Sequence, residues 1–150
     1  MTGVQTCALP IFFAANSDAL WLNGPIPALA RLARAWNGAV MDALLLVTVI
    51  PGTLGYDGRG DFYMDGVGRL RRRAERGIAP FLFTGVQVLH PRLFAGETPG
   101  KFSLNRVYDK ALAAERLYGL RHDGAWYHVG TPGGLAVVEA RLKAEGAVAA

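Results

Sequence analysis

Asn16-Ser17-Asp18 closes one short apolar run and His128-Val129-Gly130-Thr131 closes another, while a third apolar segment, Pro80 to His90, carries Gly85 in its interior. A carboxylate standing open at the end of a strand can hold Mg²⁺, which prefers oxygen ligands and takes one or two carboxylates together with phosphate oxygens. Such a site suits phosphoryl or nucleotidyl transfer. Each residue also has a plainer reading. Asp18 can cap local backbone in a loop, His128 can be a hydrogen-bonded core histidine, and Gly85 can mark a simple β-bulge.

The elements around these residues decide how they are held. Phe12 to Asn16 reads as a buried strand, so Asp18 stands beyond its C-terminal end, where open α/β sheets bind ligands. Pro25 to Trp36 carries Leu29, Leu32, Ala33 and Trp36 at helical spacing, and Met41 to Ile50 is a continuous branched apolar run stopped by Pro51-Gly52, as expected of a central strand. Strand, helix and strand in that order predict a βαβ unit. Gly55 to Gly77 is rich in Gly, Asp and Arg; Asp61 to Met64 followed by Asp65-Gly66 predicts a hairpin excursion. Ser103 is positioned to cap a helix running to Glu115. Leu117 to Arg121 and Trp126 to Val129 are expected as strands joined near Asp123-Gly124, and Thr131-Pro132 starts a last helix bearing Leu135, Val138 and Leu142.

Composition narrows the class. At 150 residues the chain fits one domain, and 51% hydrophobic with 19% charged residues describes a globular protein in which no apolar run reaches the roughly 18 residues needed to cross a bilayer. The formal charge of +4 favours acidic partners, which includes phosphorylated small molecules. Its basic run, Arg69, Arg71, Arg72, Arg73 and Arg76, lacks the interleaved aromatic residues of a base-stacking surface, so nucleic acid is not expected and a solvated edge is the simplest reading. One cysteine, Cys7, forms no disulfide framework and fits a reducing cytoplasm. Arg59-Gly60-Asp61 reads as a turn before a strand, and His90 and His122 lack metal-ligand spacing, so both are expected to be structural. No feature fixes an oligomeric state.

Met1 to Ile11, MTGVQTCALPI, has no charge and no period, and it matches the translation of a sequencing-adapter oligonucleotide. We expect residues 1–11 to be an artefactual extension, residues 12–146 to form the body of the fold, and residues 147–150 to be a flexible tail.

Three motifs in order, FFAANSD, LFTGVQVLHPRLF and WYHVGTP, together with the GRGDF turn, resemble the sugar-1-phosphate nucleotidyltransferases. The resemblance comes nearest to the N-acetylmuramate-1-phosphate uridylyltransferase branch, with mannose-1-phosphate guanylyltransferases beside it. It implies an α/β, Rossmann-like fold with a mixed, mostly parallel sheet flanked by helices, lacking the N-terminal βα units of that family. It further implies transfer of a nucleotidyl group from UTP or GTP to a sugar 1-phosphate, in cell wall recycling for the first branch. Asp18 would match the Mg²⁺-binding aspartate and Asn16 its support. Gly85 would meet the sugar through its backbone with Thr84 as neighbour, and Gly130 and Thr131 would contact substrate. His128 stands where the family places a second metal-binding aspartate, so it would contact metal, phosphate or a bound water. No glycine-rich GxGxR phosphate loop followed by Pro-Lys occurs in the 150 residues. The chain alone is therefore expected to lack transferase activity, and a catalytically dead sugar-phosphate-binding module is the alternative.

Overall fold

Every second residue of Ala43–Val49 faces one helix layer and the residues between face another, which is how a wholly apolar strand is buried on both sides. A computed structural model describes residues 11–146; Met1 to Pro10, with Cys7, and the tail 147–150 lie outside the described residues. In chain order the elements are β1 (Phe12–Ala15), β2 (Ala19–Trp21), α1 (Ala28–Ala35), β3 (Ala43–Val49), β4 (Phe62–Met64), β5 (Leu70–Arg72) and β6 (Phe81–Leu89). A 3₁₀ turn (Pro91–Phe94), α2 (Asn105–Ala113), β7 (Leu117–Arg121), β8 (Trp126–His128) and α3 (Pro132–Ala144) follow.

The main sheet runs β5-β4-β6-β3-β7, with β1 also paired to β6, and β2 pairs with β8 in a second small sheet. Ala43, Leu45 and Val47 pack with Val107, Tyr108 and Ala111 of α2; Leu44 and Leu46 pack with Ala28 and Leu32 of α1. Tyr127 of β8 packs with Val138 and Leu142 of α3. The helix–sheet–helix layering expected of the fold is present, and so is the hairpin excursion, as β4 and β5.

Four expectations are corrected. The sheet is mixed, but among the described residues its strand pairs are antiparallel except β3 with β7. β6 is the cause: it runs antiparallel between β1 and β3, so the βαβ unit is present with a foreign strand inserted into it. β1 is not a buried strand; it lies along an edge, with Phe12 40% and Phe13 44% exposed. β7 and β8 do not form a hairpin across Asp123-Gly124, since β7 pairs with β3 in the core and the chain then crosses to the second sheet. Finally, α2 stops at Ala113, two residues short of Glu115, which adopts a left-handed φ of 55°. Ser103 sits one place before the cap and accepts the Asn105 N–H at 3.3 Å.

The basic run holds the hairpin in place. Arg72 pairs with Asp109 at 2.7 Å and lies over the Phe62 ring, Arg69 Nε donates to the Tyr118 hydroxyl, and Arg73 donates to the carbonyls of Gly60, Ala74, Glu75 and Gly77. Asp61 likewise turns inward and accepts the Phe83 N–H, as a turn residue does. His90 caps the 3₁₀ turn through Nδ1, and His122 bonds the Ala125 carbonyl at 3.1 Å; both are buried and structural. Among the described residues no helix is long and apolar enough to cross a membrane.

Candidate functional site

Gly85 breaks the ladder of β6, and that break makes the site. Its φ of +89° is a conformation that side-chain-bearing residues avoid, and the register with β3 shifts between Leu45 and Val47 at the same point. At the bulge two carbonyls of β6 accept from groups outside β3. The indole N–H of Trp126 takes the Thr84 carbonyl at 2.9 Å, and the Asn16 N–H takes the Gly85 carbonyl at 2.9 Å. Thr84 commits its own hydroxyl inward, donating to the Leu46 carbonyl at 2.8 Å. The bulge therefore ties the second sheet and the end of β1 to the main sheet.

The cleft so formed has a volume of about 280 Å³, near the lower end of small-molecule sites, and is lined by Asn16 and Asp18 on one side and Phe83, Thr84 and Gly85 on the floor. Trp126 and His128 of β8 and the loop Gly55 to Gly58 complete it. Asp18 is exposed, and its carboxylate has no hydrogen-bond or ion-pair partner among the described residues; its backbone carbonyl accepts the Val129 N–H at 2.9 Å. Ala19 pairs with His128 across β2 and β8, which brings the two polar strand ends side by side. Their closeness can be read at Gly130, where a Cβ would lie 2.8 Å from His128 Nε2 and 3.3 Å from Asp18 Cβ. The His128 ring and the Asp18 side chain thus flank the same Gly130 position.

The structure brings together Asn16, Asp18, Thr84, Gly85 and His128 in this one cleft. Two expected residues are outside its lining. Thr131 spends its hydroxyl as the cap of α3, accepting the Gly134 N–H at 3.0 Å, and Gly130 lies against the His128 ring. Thr84 is fully buried and its carbonyl is taken by Trp126, so it supports the cleft from beneath. Asn16 lies against the floor, where a Cβ at 85 would come within 2.9 Å of its own Cβ.

Sequence reasoning passed over the wall that faces Asp18. Tyr56 packs edge-on against Trp126, with ring centroids 6.3 Å apart, and Trp126 stacks on His128 at 6.1 Å. The Tyr56 hydroxyl accepts the Gly60 N–H at 3.0 Å; burial and the neighbouring Asp61 charge push its pKa above the ordinary value, so the phenol stays neutral. Gly55, at φ +77°, lets the loop touch β8, since a Cβ there would collide with the His128 carbonyl oxygen. An aromatic and a carboxylate set between glycines, Gly55-Tyr56-Asp57-Gly58, was the available signal.

The donor set fits a cation that takes few protein ligands. Asp18 offers an open carboxylate and His128 a nearby imidazole, and among the described residues no group of three His, Cys, Asp or Glu side chains comes together. That suits Mg²⁺ held by one carboxylate and phosphate oxygens, with His128 free for phosphate or water.

Comparison with known proteins agrees with this fold. The UTP-bound UGPase of Acinetobacter baumannii superposes with a TM-score of 0.67 at 17% identity, over 91% of this chain and 53% of that one. The inositol-1-phosphate CTP transferase of T. maritima gives 0.59 at 18% identity, over 93% and 58%. By fold the chain stands with these nucleotidyltransferases. In sequence it is a relative of the N-acetylmuramate alpha-1-phosphate uridylyltransferase of Caulobacter vibrioides, 32% identical over 130 residues, 87% of this chain and 54% of that protein. No protein-family model matches. The chain spans about half the length of these relatives.

Proposed function

We propose that this chain provides the sugar-phosphate side of a sugar-1-phosphate nucleotidyltransferase, which joins a nucleoside triphosphate to a sugar 1-phosphate and releases pyrophosphate. The observation that carries this reading is the single cleft uniting Asn16, Asp18, Gly85 and His128. In the reaction a sugar-phosphate oxygen attacks the α-phosphorus in line; the new O–P bond forms as the bond to the β-phosphate bridging oxygen breaks, and pyrophosphate leaves. Mg²⁺, when bound, offsets charge on the phosphate oxygens. Asp18 would be its carboxylate ligand and Asn16 would brace the floor beside it. His128 would contact the sugar phosphate or its water rather than the cation. Gly85 would present backbone to the sugar, and Gly130 would keep the space over His128 clear.

UTP is the triphosphate that the uridylyltransferase relative favours, with GTP the alternative, and a phosphorylated N-acetylmuramate would make this a step of cell wall recycling. Either triphosphate fits a cytoplasmic protein. No residue of this chain is assigned to the glycine-rich phosphate loop. The 150 residues are accordingly expected to bind a sugar 1-phosphate in the presence of Mg²⁺, by calorimetry, and to release no pyrophosphate when UTP is added. Pyrophosphate release by the purified chain would overturn the second half of this reading, and absence of binding the first. A second reading, a module that binds sugar phosphates without turnover, is favoured by His128 standing in place of a carboxylate.

A further inference from the structure

The loop between β3 and β4 puts a second free carboxylate on the cleft. Asp57 lines the pocket, is exposed, and has no hydrogen-bond or ion-pair partner among the described residues. Its neighbours are fixed from both sides. The Leu54 carbonyl accepts the His128 N–H at 2.9 Å, Gly55 lies against the His128 carbonyl, and Tyr56 is held by Gly60 and Trp126. A carboxylate on so firmly seated a loop has little reorganisation left to undergo when a ligand arrives.

The charges of the cleft divide its ends. A phosphate group beside Asp57 would set like charges together, whereas Asp18 flanks Gly130 with the His128 ring and keeps its carboxylate free for a cation that offsets them. The uncharged part of the ligand is what remains for Asp57. We propose that Asp57 is a sugar-recognition residue, accepting hydrogen bonds from ring hydroxyls of a pyranose whose apolar face lies against Tyr56. This rests on the reading of the cleft as a sugar-phosphate site, and it names what selects the sugar there. Carboxylates accept such bonds more strongly than neutral groups do, and the cleft has room for one monosaccharide phosphate.

The test is calorimetric titration of the full chain with α-D-glucose 1-phosphate, N-acetylmuramate α-1-phosphate and inorganic phosphate, each with Mg²⁺, for the wild type, Asp57→Asn and Asp57→Ala. Asp57→Ala should weaken a sugar 1-phosphate by about 10–100-fold, Asp57→Asn by less, and both should leave inorganic phosphate within about twofold. Thermal melting should not move, because the side chain holds nothing in the fold. Unchanged sugar binding in both variants, or equal loss of sugar and inorganic phosphate, overturns the proposal while leaving the sugar-phosphate reading intact. Failure of the wild type to bind either sugar 1-phosphate overturns both.

Discussion

Unlike Asp42, Asp61 and Asp65, whose carboxylates accept hydrogen bonds within the fold, Asp18 lines the cleft with its carboxylate free among the described residues. Its side chain is exposed and unpartnered among the described residues, so Asp18→Asn should leave the melting temperature unchanged while weakening Mg²⁺-dependent sugar 1-phosphate binding by about tenfold or more. Loss of binding without loss of stability separates a ligand role from a capping role, for which both would fall. Gly85 makes the opposite trade. Alanine there must adopt a left-handed φ and press its Cβ against Asn16, so Gly85→Ala should cost about 1–3 kcal/mol and lower the melting temperature by several degrees, measured by calorimetry. It should also disturb the Asn16 N–H bond to the Gly85 carbonyl, and with it the cleft. Asn16, Asp18, Gly85 and His128 were legible in the sequence because polar residues ending apolar runs, and a glycine inside one, stand out against strand patterning. Tyr56 and Asp57 were not, since a loop side chain joins a site through tertiary contacts that leave no period. Thr84 was legible as a neighbour, but only the structure shows its hydroxyl committed to Leu46.

At the scale of elements, the ends of β3, β6 and β7 meet at a single carboxylate. Asp42 Oδ1 accepts from Arg116 Nε at 2.7 Å and Arg92 Nε at 2.5 Å, and the two guanidinium groups also reach the carbonyls of Gly38, Ala39 and Met41. Burial pushes the Asp42 pKa up, but the hydrogen bonds and charges of Arg116 and Arg92 outweigh it, so the carboxyl titrates below its ordinary 3.8. A depressed folded-state pKa means stability that is fully present above 3.8 and lost as pH falls through the lower folded value. Asp42→Asn should therefore cost about 1–2 kcal/mol near neutral pH, discounted because the guanidinium groups remain 37% and 28% exposed and partly screened by water. Urea denaturation should show that penalty shrinking below about pH 4; a penalty independent of pH would mean that packing, not charge, is the contribution. The long elements were readable because their apolar patterns are strong: β3 is a continuous run, and α3 has both a Thr cap and a Pro start. β2 was missed because three residues carry no pattern, and its partner β8 lies far along the chain. The Asp123-Gly124 signal marks a bend whose flanks belong to different sheets, a distinction local chemistry does not encode.

For the molecule as a whole, the second sheet meets the main one at the bulge of β6 through Trp126 and through Trp21, which packs against the cluster of Leu44, Leu46, Val86 and Val88, and β1 lies along the outer side of β6. Among the described residues nothing pairs with the free edge of β1, and Phe13 is 44% exposed there, whereas Phe12 packs near Phe94 with ring centroids 5.9 Å apart. An apolar edge strand is a template for pairing with another chain, and a lysine on it is the usual protection. Phe13 is the better place to test this, because its replacement leaves the Phe12 contact and both helix-facing cores in place. Phe13→Lys should shift sedimentation-velocity profiles of the 150-residue chain from associated species toward monomer and raise its soluble concentration, with sugar 1-phosphate binding unchanged, since residue 13 is outside the cleft. β1 pairs with β6 on one side, and among the described residues no strand pairs with its other side. Monomeric wild-type chain at high concentration would show instead that the twist and shortness of β1, four residues long, already block edge pairing, and Phe13→Lys would then change nothing.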